Sequence, residues 1–306
     1  MSSQRNNHFL SETLVSTGVW IRKTWPLLPA TFYLIGFLII VFLYLATLSL
    51  SDPSAGINFP SLKVFSELAH DRVFIDALIN SLLFTIAGIP LELITGLVFA
   101  LMLYRNFFMR GVVRSFFLIP LAIPAIVTAM LIYILFDFPG GHVNHLLSGS
   151  YPPFPQVIAE PINWRGSGFF AFSISMLGKV WRDLPITMLI LLSGLNTIDP
   201  ELFDAAKTMG ASMRVRIAKI VIPLILPSIS AVVLLRSVEM WKEFIFPFVL
   251  AGRYRLLGTL IDFYYNNVGN SHKAAAVAMV LVGCILLSSF ILFIVMDLLQ
   301  KVTNRR

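Results

Sequence analysis

Six long apolar runs dominate the chain, at residues 27–50, 74–104, 112–136, 169–195, 220–250 and 274–299. An α-helix rises about 1.5 Å per residue, so about 20 residues cross a hydrocarbon layer of ~30 Å. Each run reaches that length, and the longer ones imply tilt, kinks or helix that extends past the hydrocarbon. A set of buried soluble cores is excluded by charge. Only 13% of the 306 residues are charged and mean hydropathy is +0.83, against roughly 25% charged residues in soluble domains. The expected fold is an all-α membrane protein with six transmembrane helices. Pro120 and Pro124, in the string LIPLAIP, are predicted to bend the third span. The first run is too long for a signal peptide, and no small-x-small site follows it closely, so it is read as an uncleaved span.

Basic residues in the short connections orient the spans. One set comprises Arg5, Arg22 and Lys23, then Arg105, Arg110 and Arg114, then Lys207, Arg214, Arg216 and Lys219, and finally Lys301, Arg305 and Arg306. The opposite set is smaller: Lys63, Arg72, Arg165, Arg253, Arg255 and Lys273. Thirteen against six places both termini in the cytoplasm by the positive-inside rule. The same pattern explains the net charge of +7 without invoking nucleic acid. The segment between the first two spans, with Asp52-Pro53 and Gly56 as turn signals, is expected outside. The division that follows is a cytoplasmic tail over 1–26, a first helix and outer loop over 27–73, a transmembrane domain with a five-helix core over 74–299, and a tail over 300–306.

One polar interruption, residues 199–223, stands out in the second half. Asp199 suits an N-cap, Pro200 the first helical position, and Glu201 complements the helix dipole. Gly210 suits a left-handed stop, which predicts a helix over 200–209. So short a helix is unstable alone in water and must be held by the spans around it. Its Ala205-Ala206 patch permits close approach of another surface.

The series Asp204-Ala205-Ala206, then Gly210, then Ile220-Val221-Ile222-Pro223 resembles the cytoplasmic EAA loop of binding-protein-dependent ABC importer permeases. Asp204 stands where that family has Glu, and Ile222 where it has Leu. The resemblance implies a type I importer fold in which residues 199–219 form a coupling loop, with Asp204, Ala205, Ala206, Gly210, Ile220 and Pro223 as its ATPase-coupling residues. Further strings are similar to the carbohydrate branch, in particular to the larger, first permease of maltose- and glycerol-phosphate-type importers. They are residues 80–85, 90–93, 114–124, 141–147, 181–185 and 191–195. The similarity covers residues 80–299 and departs after Leu250, where the family often carries Gly-Gly-Pro and this chain has Ala251-Gly252-Arg253-Tyr254-Arg255. The implied partners are a second permease subunit in a heterodimer, two copies of a cytoplasmic ABC ATPase and an extracytoplasmic solute-binding protein. A carbohydrate is the implied substrate and a bacterial or archaeal inner membrane the implied location.

Ionisable residues inside spans are costly and usually face a cavity or a partner. Lys179, Arg182 and Asp183 share one helical face at i, i+3 and i+4, with Trp181 between them. Arg236, Glu239 and Glu243 form a second stripe at i, i+3 and i+7, beside Trp241 and Lys242, and Glu92 lies inside the second span. Two uses fit these residues: a polar path in which they hydrogen-bond sugar hydroxyls and a Trp stacks on a sugar face, or ion pairs that fix helix packing or line a gate. His142 and His145 lack a third ligand, so no metal site is expected. Cys284 is read as a small apolar-core residue.

No G-x-x-x-x-G-K-[ST] loop, H-E-x-x-H or G-x-S-x-G motif is present. The expectation is a transport subunit without catalytic residues that binds no cofactor itself, ATP and Mg being held in partner subunits. Alternatives are a permease for a polyamine or phosphonate, a motor-free channel or secondary transporter using the intramembrane carboxylates as a proton relay, or a structural or enzymatic subunit of a membrane complex. No clear internal repeat supports a secondary transporter.

Overall fold

Apolar runs without water must satisfy their backbone internally, and each of them folds as helix. The computed structural model describes residues 25–52, 59–105 and 107–304, and every regular element among them is helical. The expected tail over residues 1–24, Arg305, Arg306 and the turn at Gly56 lie outside the described residues. In chain order the helices are α1 (Leu28–Ser49), α2 (Lys63–His70), α3 (Arg72–Tyr104), α4 (Arg110–Ala122), α5 (Ala125–Leu135), α6 (His142–Leu147) and α7 (Gly168–Leu195). The second half comprises α8 (Pro200–Thr208), α9 (Met213–Arg216), α10 (Ile222–Leu224), α11 (Leu226–Trp241), α12 (Ile245–Leu250), α13 (Leu257–Asp262) and α14 (Ser271–Asn304). Single π-helical turns at Ile217–Val221 and Phe263–Asn267 complete the described helical elements of this half.

Three segments are long and apolar enough to cross a membrane: Trp25–Ser49, Arg72–Tyr104 and Ser271–Thr303. The expected third span is not one kinked helix. It stops at Ala122 and restarts at Ala125, with a bend of 93°. Pro124 forces Ile123 into extended backbone (φ −87°, ψ 130°) and offers no N–H to continue the ladder, whereas Pro120 is accommodated inside α4. The expected fifth span is likewise broken, by 74° at Ile225, because Pro227 has no N–H for the carbonyl of Pro223. It breaks again after Trp241, so residues 245–250 form the separate helix α12. If each bent pair counts once, five segments qualify. Helix α7 has 28 residues, but its charges set it apart from a lipid-facing span.

Helices α3, α7 and α11 pack against one another at the centre. Helix α14 lies against α11, and α1 packs on α14 as a peripheral helix, apolar on all its faces. Helices α4, α5 and α12 cover the other side of α7. One end of this bundle gathers Ala100, Leu103, Leu195, Ile198, Val221 and Ile225 into a buried cluster, which roots residues 199–223 between α7 and α11. The other end gathers Val64, Leu68, Phe74, Trp241, Leu257, Leu260 and Val277. There the His272 Nδ1 lies 2.9 Å from the carbonyl of Leu48, so the end of α1 and the start of α14 meet. The basic connections at 105–114 and 199–219 therefore share the end opposite 251–270, as the charge pattern predicts.

Side-chain size decides how close the central helices come. A Cβ on Gly96 of α3 would sit 2.4 Å from Cγ2 of Thr187 on α7, so only glycine allows this approach. At the opposite end Asn144 organises the connection between α5 and α7. Its amide donates to the carbonyls of Asp137 and Ile162, and its Oδ1 accepts from the Ile162 N–H and Trp164 Nε1, each at 3.1 Å. The unusual 251–255 segment packs down on the bundle, with Asn80 donating to the carbonyl of Arg255 at 3.2 Å and the Tyr254 hydroxyl donating to that of Gly166 at 3.2 Å.

Substituting Gly96→Leu overpacks the α3–α7 contact, at a typical cost of about 1–3 kcal/mol. The variant is expected to melt at lower temperature in detergent, whereas Gly36→Leu on α1, where nothing lies within 4 Å of a new Cβ, leaves the melting temperature unchanged.

Candidate functional site

Where the three central helices meet, seven of the ten charged and aromatic residues singled out in the spans join into one network. Arg236 on α11, fully buried, is its hub. Its Nη1 lies 2.5 Å from Glu239 Oε2 and 3.3 Å from Asp183 Oδ2 on α7, and its Nε lies 3.2 Å from Glu92 Oε2 on α3. Lys179 of α7 contacts Asp183 Oδ2 at 2.5 Å and Glu243 Oε2 at 3.1 Å. Arg182 reaches Asp183 Oδ1 at 2.7 Å. Four carboxylates thus surround three cations, and each central helix contributes at least one charge.

Local structure sets these positions. The i, i+4 spacing of Lys179 and Asp183 and the i, i+3 spacing of Arg236 and Glu239 pair them along their own helices. The expected stripe through Glu243 is broken, because α11 ends at Trp241. Glu243 reaches the network from the turn instead. One carboxylate oxygen accepts from the Phe246 N–H at 3.2 Å, at the start of α12, while the other contacts Lys179. The contact between Glu92 and Arg236 is close but poorly aligned: both Glu92 oxygens and the Arg236 Nε lack a hydrogen-bond partner among the described residues. Thr85, Thr187 and Ser237, which sequence reasoning did not single out, also bury hydroxyl groups without a partner there.

The remaining predicted residues fall elsewhere. Trp241 is buried in the cluster with Leu257 and Leu260 and is closed to a ligand in this arrangement. Trp181 is 42% exposed, and Lys242, which follows the last residue of α11, is exposed as well. Of the network itself, only Arg182 and Glu239 keep a substantial fraction of the side chain accessible, 29% and 23%. A groove of about 910 Å³ between α3, α7 and residues 253–255 was missed by the sequence reading. Phe84, Phe169, Phe172 and Tyr254 line it, with Asn80 and Arg255 among its polar groups. The spacing of Phe169 and Phe172 was its only sequence signal, and aromatic residues within a span read equally well as lipid-facing.

At the basic end of the bundle the polar loop adopts the predicted helix, one residue shorter than expected. Asp199 Oδ1 accepts from the Glu201 N–H at 3.0 Å, and α8 runs from Pro200 to Thr208. Gly210 has φ +79°, and the bonds from Gly210 N to Lys207 O and from Ala211 N to Ala206 O, both at 3.0 Å, close the helix as a Schellman motif. Ala206 is buried against the bundle, whereas Ala205 is exposed and Gly210 has open space around its Cα. Ile220 and Pro223 are half-buried where the loop enters the bundle. The side chain of Asp204 lies outside the described residues. The loop thus presents a short, rigidly capped helix at the end of the bundle, joined to α7 on one side and through the broken helix to α11 on the other.

The chain is 31% identical over 224 residues to the trehalose/maltose transport system permease protein MalF of Thermococcus litoralis, covering 72% of this chain and 74% of that protein. It is 27% identical over 268 residues to the trehalose transport system permease protein SugA of Mycobacterium tuberculosis, covering 87% and 83%. The fold is similar to that of a chain in a crystal structure of a bacterial alginate ABC transporter in complex with an alginate pentasaccharide-bound periplasmic protein. The TM-score is 0.74 at 18% identity, covering 89% of this chain and 94% of that one. Residues 92–306 match the family described as binding-protein-dependent transport system inner membrane component. With its apolar helices, its capped polar loop and that match, the chain belongs to the inner-membrane components of binding-protein-dependent transport systems.

Proposed function

We propose that this chain is one permease subunit of an ATP-driven sugar importer, spanning the membrane six times with both termini in the cytoplasm. The span that brings the count from five to six is α7, whose Lys179 and Asp183 are paired inside the protein with Glu243 and with Arg236 of α11. The carbohydrate substrate is supported by relatives that are named for trehalose and maltose transport. A companion permease completes the path, two cytoplasmic ABC ATPases supply ATP and Mg, and an extracytoplasmic binding protein delivers the sugar. The chain itself does no catalysis.

The capped loop at residues 199–223 is the observation that carries this reading. A two-turn helix held by buried Ile198, Val221 and Ile225 cannot bend independently of the bundle. A push on α8 is therefore transmitted to α7 and α11 as rigid-body motion, and those helices hold the charge network. The network then has two parts. Fully buried Arg236 and Glu92 fix the packing of α3 on α11. Arg182 and Glu239, with Trp181 and Lys242 nearby in the chain, keep accessible surface and form the part that meets sugar, the Trp offering an apolar face and the charges binding hydroxyl groups.

Three outcomes follow. Asp204→Arg and Gly210→Val, the latter placing a β-branched residue at φ +79°, should each lower sugar uptake more than tenfold with normal amounts of protein in the membrane. Normal transport in both would rule out coupling through this loop. Trp181→Ala and Glu239→Gln should reduce uptake while assembly and basal ATP hydrolysis persist, and retention of full uptake by both removes them from the path. Arg236→Met removes the cation from Glu92 and Glu239, while Asp183 keeps Lys179 and Arg182, and losing one side of a buried ion pair costs about 3–5 kcal/mol. Thermal melting in detergent should show that loss, and the double variant Glu92→Leu/Arg236→Met should recover part of it.

A further inference from the structure

A second cavity, of about 640 Å³, opens at the basic end of the bundle between the end of α3, the start of α4 and α9. Its walls are apolar, formed in part by Val98, Met102, Phe107, Phe117 and Met213, and among the described residues Arg105 is the only charged one lining it. Its volume falls in the ~300–1,000 Å³ range of small-molecule sites. No charge cluster of the transport path reaches it.

Three features specify what fits. First, the surroundings are basic without compensation. Arg105 lines the cavity and Arg114 follows the lining residue Val113 on α4; both are exposed, neither is ion-paired to a carboxylate among the described residues, and no acidic residue occurs in the sequence from 93 to 136. Second, the turn between α3 and α4 carries Phe107 and Phe108, the latter 92% exposed. An aromatic residue so placed suits the interface between headgroups and acyl chains. Third, the bundle exposes apolar side chains of α3 and α4 right up to this point, Val98, Met102, Val112 and Phe116 among them, so the cavity continues a lipid-facing surface. A sugar would find too few hydrogen-bond partners here, and a free inorganic anion would leave the apolar walls uncovered.

We infer that this cavity binds an anionic phospholipid, with its phosphate on Arg105 and Arg114 and acyl-chain methylenes against Val98, Met102 and Phe117. Basic pockets at the cytoplasmic ends of membrane helices recognise such headgroups. Because the site abuts Met213, just past α8, the bound lipid sits beside the coupling loop and stiffens the junction of α3, α4 and α9. The cytoplasmic placement rests on the topology proposed above, whereas the lipid chemistry rests on the cavity, on Arg105 in its wall and on Arg114 beside the lining residue Val113.

The test uses the full chain, purified with its co-purifying subunits and reconstituted in nanodiscs of phosphatidylcholine mixed with phosphatidylglycerol. A photoreactive residue at Met102 should form adducts with phosphatidylglycerol in preference to phosphatidylcholine. Each arginine near an anionic headgroup contributes a factor of about five, so Arg105→Gln/Arg114→Gln should cut that preference about tenfold or more. Arg105→Lys/Arg114→Lys should retain most of it, and raising salt should weaken it in the unaltered protein. Equal labelling of the two lipids, a preference indifferent to the arginines, or adducts only with another protein subunit would each overturn the proposal. Sugar uptake is not the readout, so failure of the importer reading and failure of the lipid site remain distinguishable.

Discussion

A guanidinium with no contact to solvent, inside an apolar bundle, is the constraint on which the remaining packing depends. Arg236 cannot remain charged there without anions, and three separate segments supply them: Glu92 from α3, Asp183 from α7 and Glu239 from its own helix. Lys179 extends the requirement to the turn before α12 through Glu243. An apolar seam tolerates small shifts of register. A seam of this kind does not, because moving α3 or α7 by one turn strands a buried charge. The network therefore specifies one arrangement of the central helices more than it adds net stability.

Close approach and charge act together in that centre. Gly96 lets α3 come near enough to α7 for short side chains such as Thr187 to meet its backbone, and the charged side chains lie one turn from that contact. Around this core the requirements relax. Helix α1 touches little besides α14 and exposes large apolar side chains on every face, which suits a helix solvated by lipid rather than by protein. Bends at Ile123 and Ile225 redirect the chain within single apolar runs, so that α4 and α5 both reach α7 from one run.

The polar loop leaves one end of the bundle as a capped helix. Its helix is too short to persist alone, yet Asp199, Gly210 and the apolar anchors Ile198, Val221 and Ile225 hold it by local caps and tertiary burial at once. The element is continuous with α7 and α11, and its surface is open at Ala205 and Gly210.

Much of this was legible in one dimension. Apolar length marked the long helices, and Asp199, Pro200 and Gly210 marked the short polar one to within a residue, because caps and breakers act through bonds only a few residues away. Helical spacing likewise paired Lys179 with Asp183 and Arg236 with Glu239. A bend at LIPLAIP was legible, but local signals did not reveal that Pro124 breaks the run by 93° while Pro120 is absorbed, nor that Pro227 breaks its run by 74° while Pro90 is absorbed. They could not separate Trp241, sealed in an apolar cluster, from Trp181, left accessible, although both sit beside charges in similar strings. The sequence by itself determined the class of fold and the capped polar helix, which follow from hydrophobicity and short-range geometry. Only the tertiary structure decided which charges meet, because Glu92, Asp183 and Arg236 are far apart in the chain and share one site only after three helices have packed.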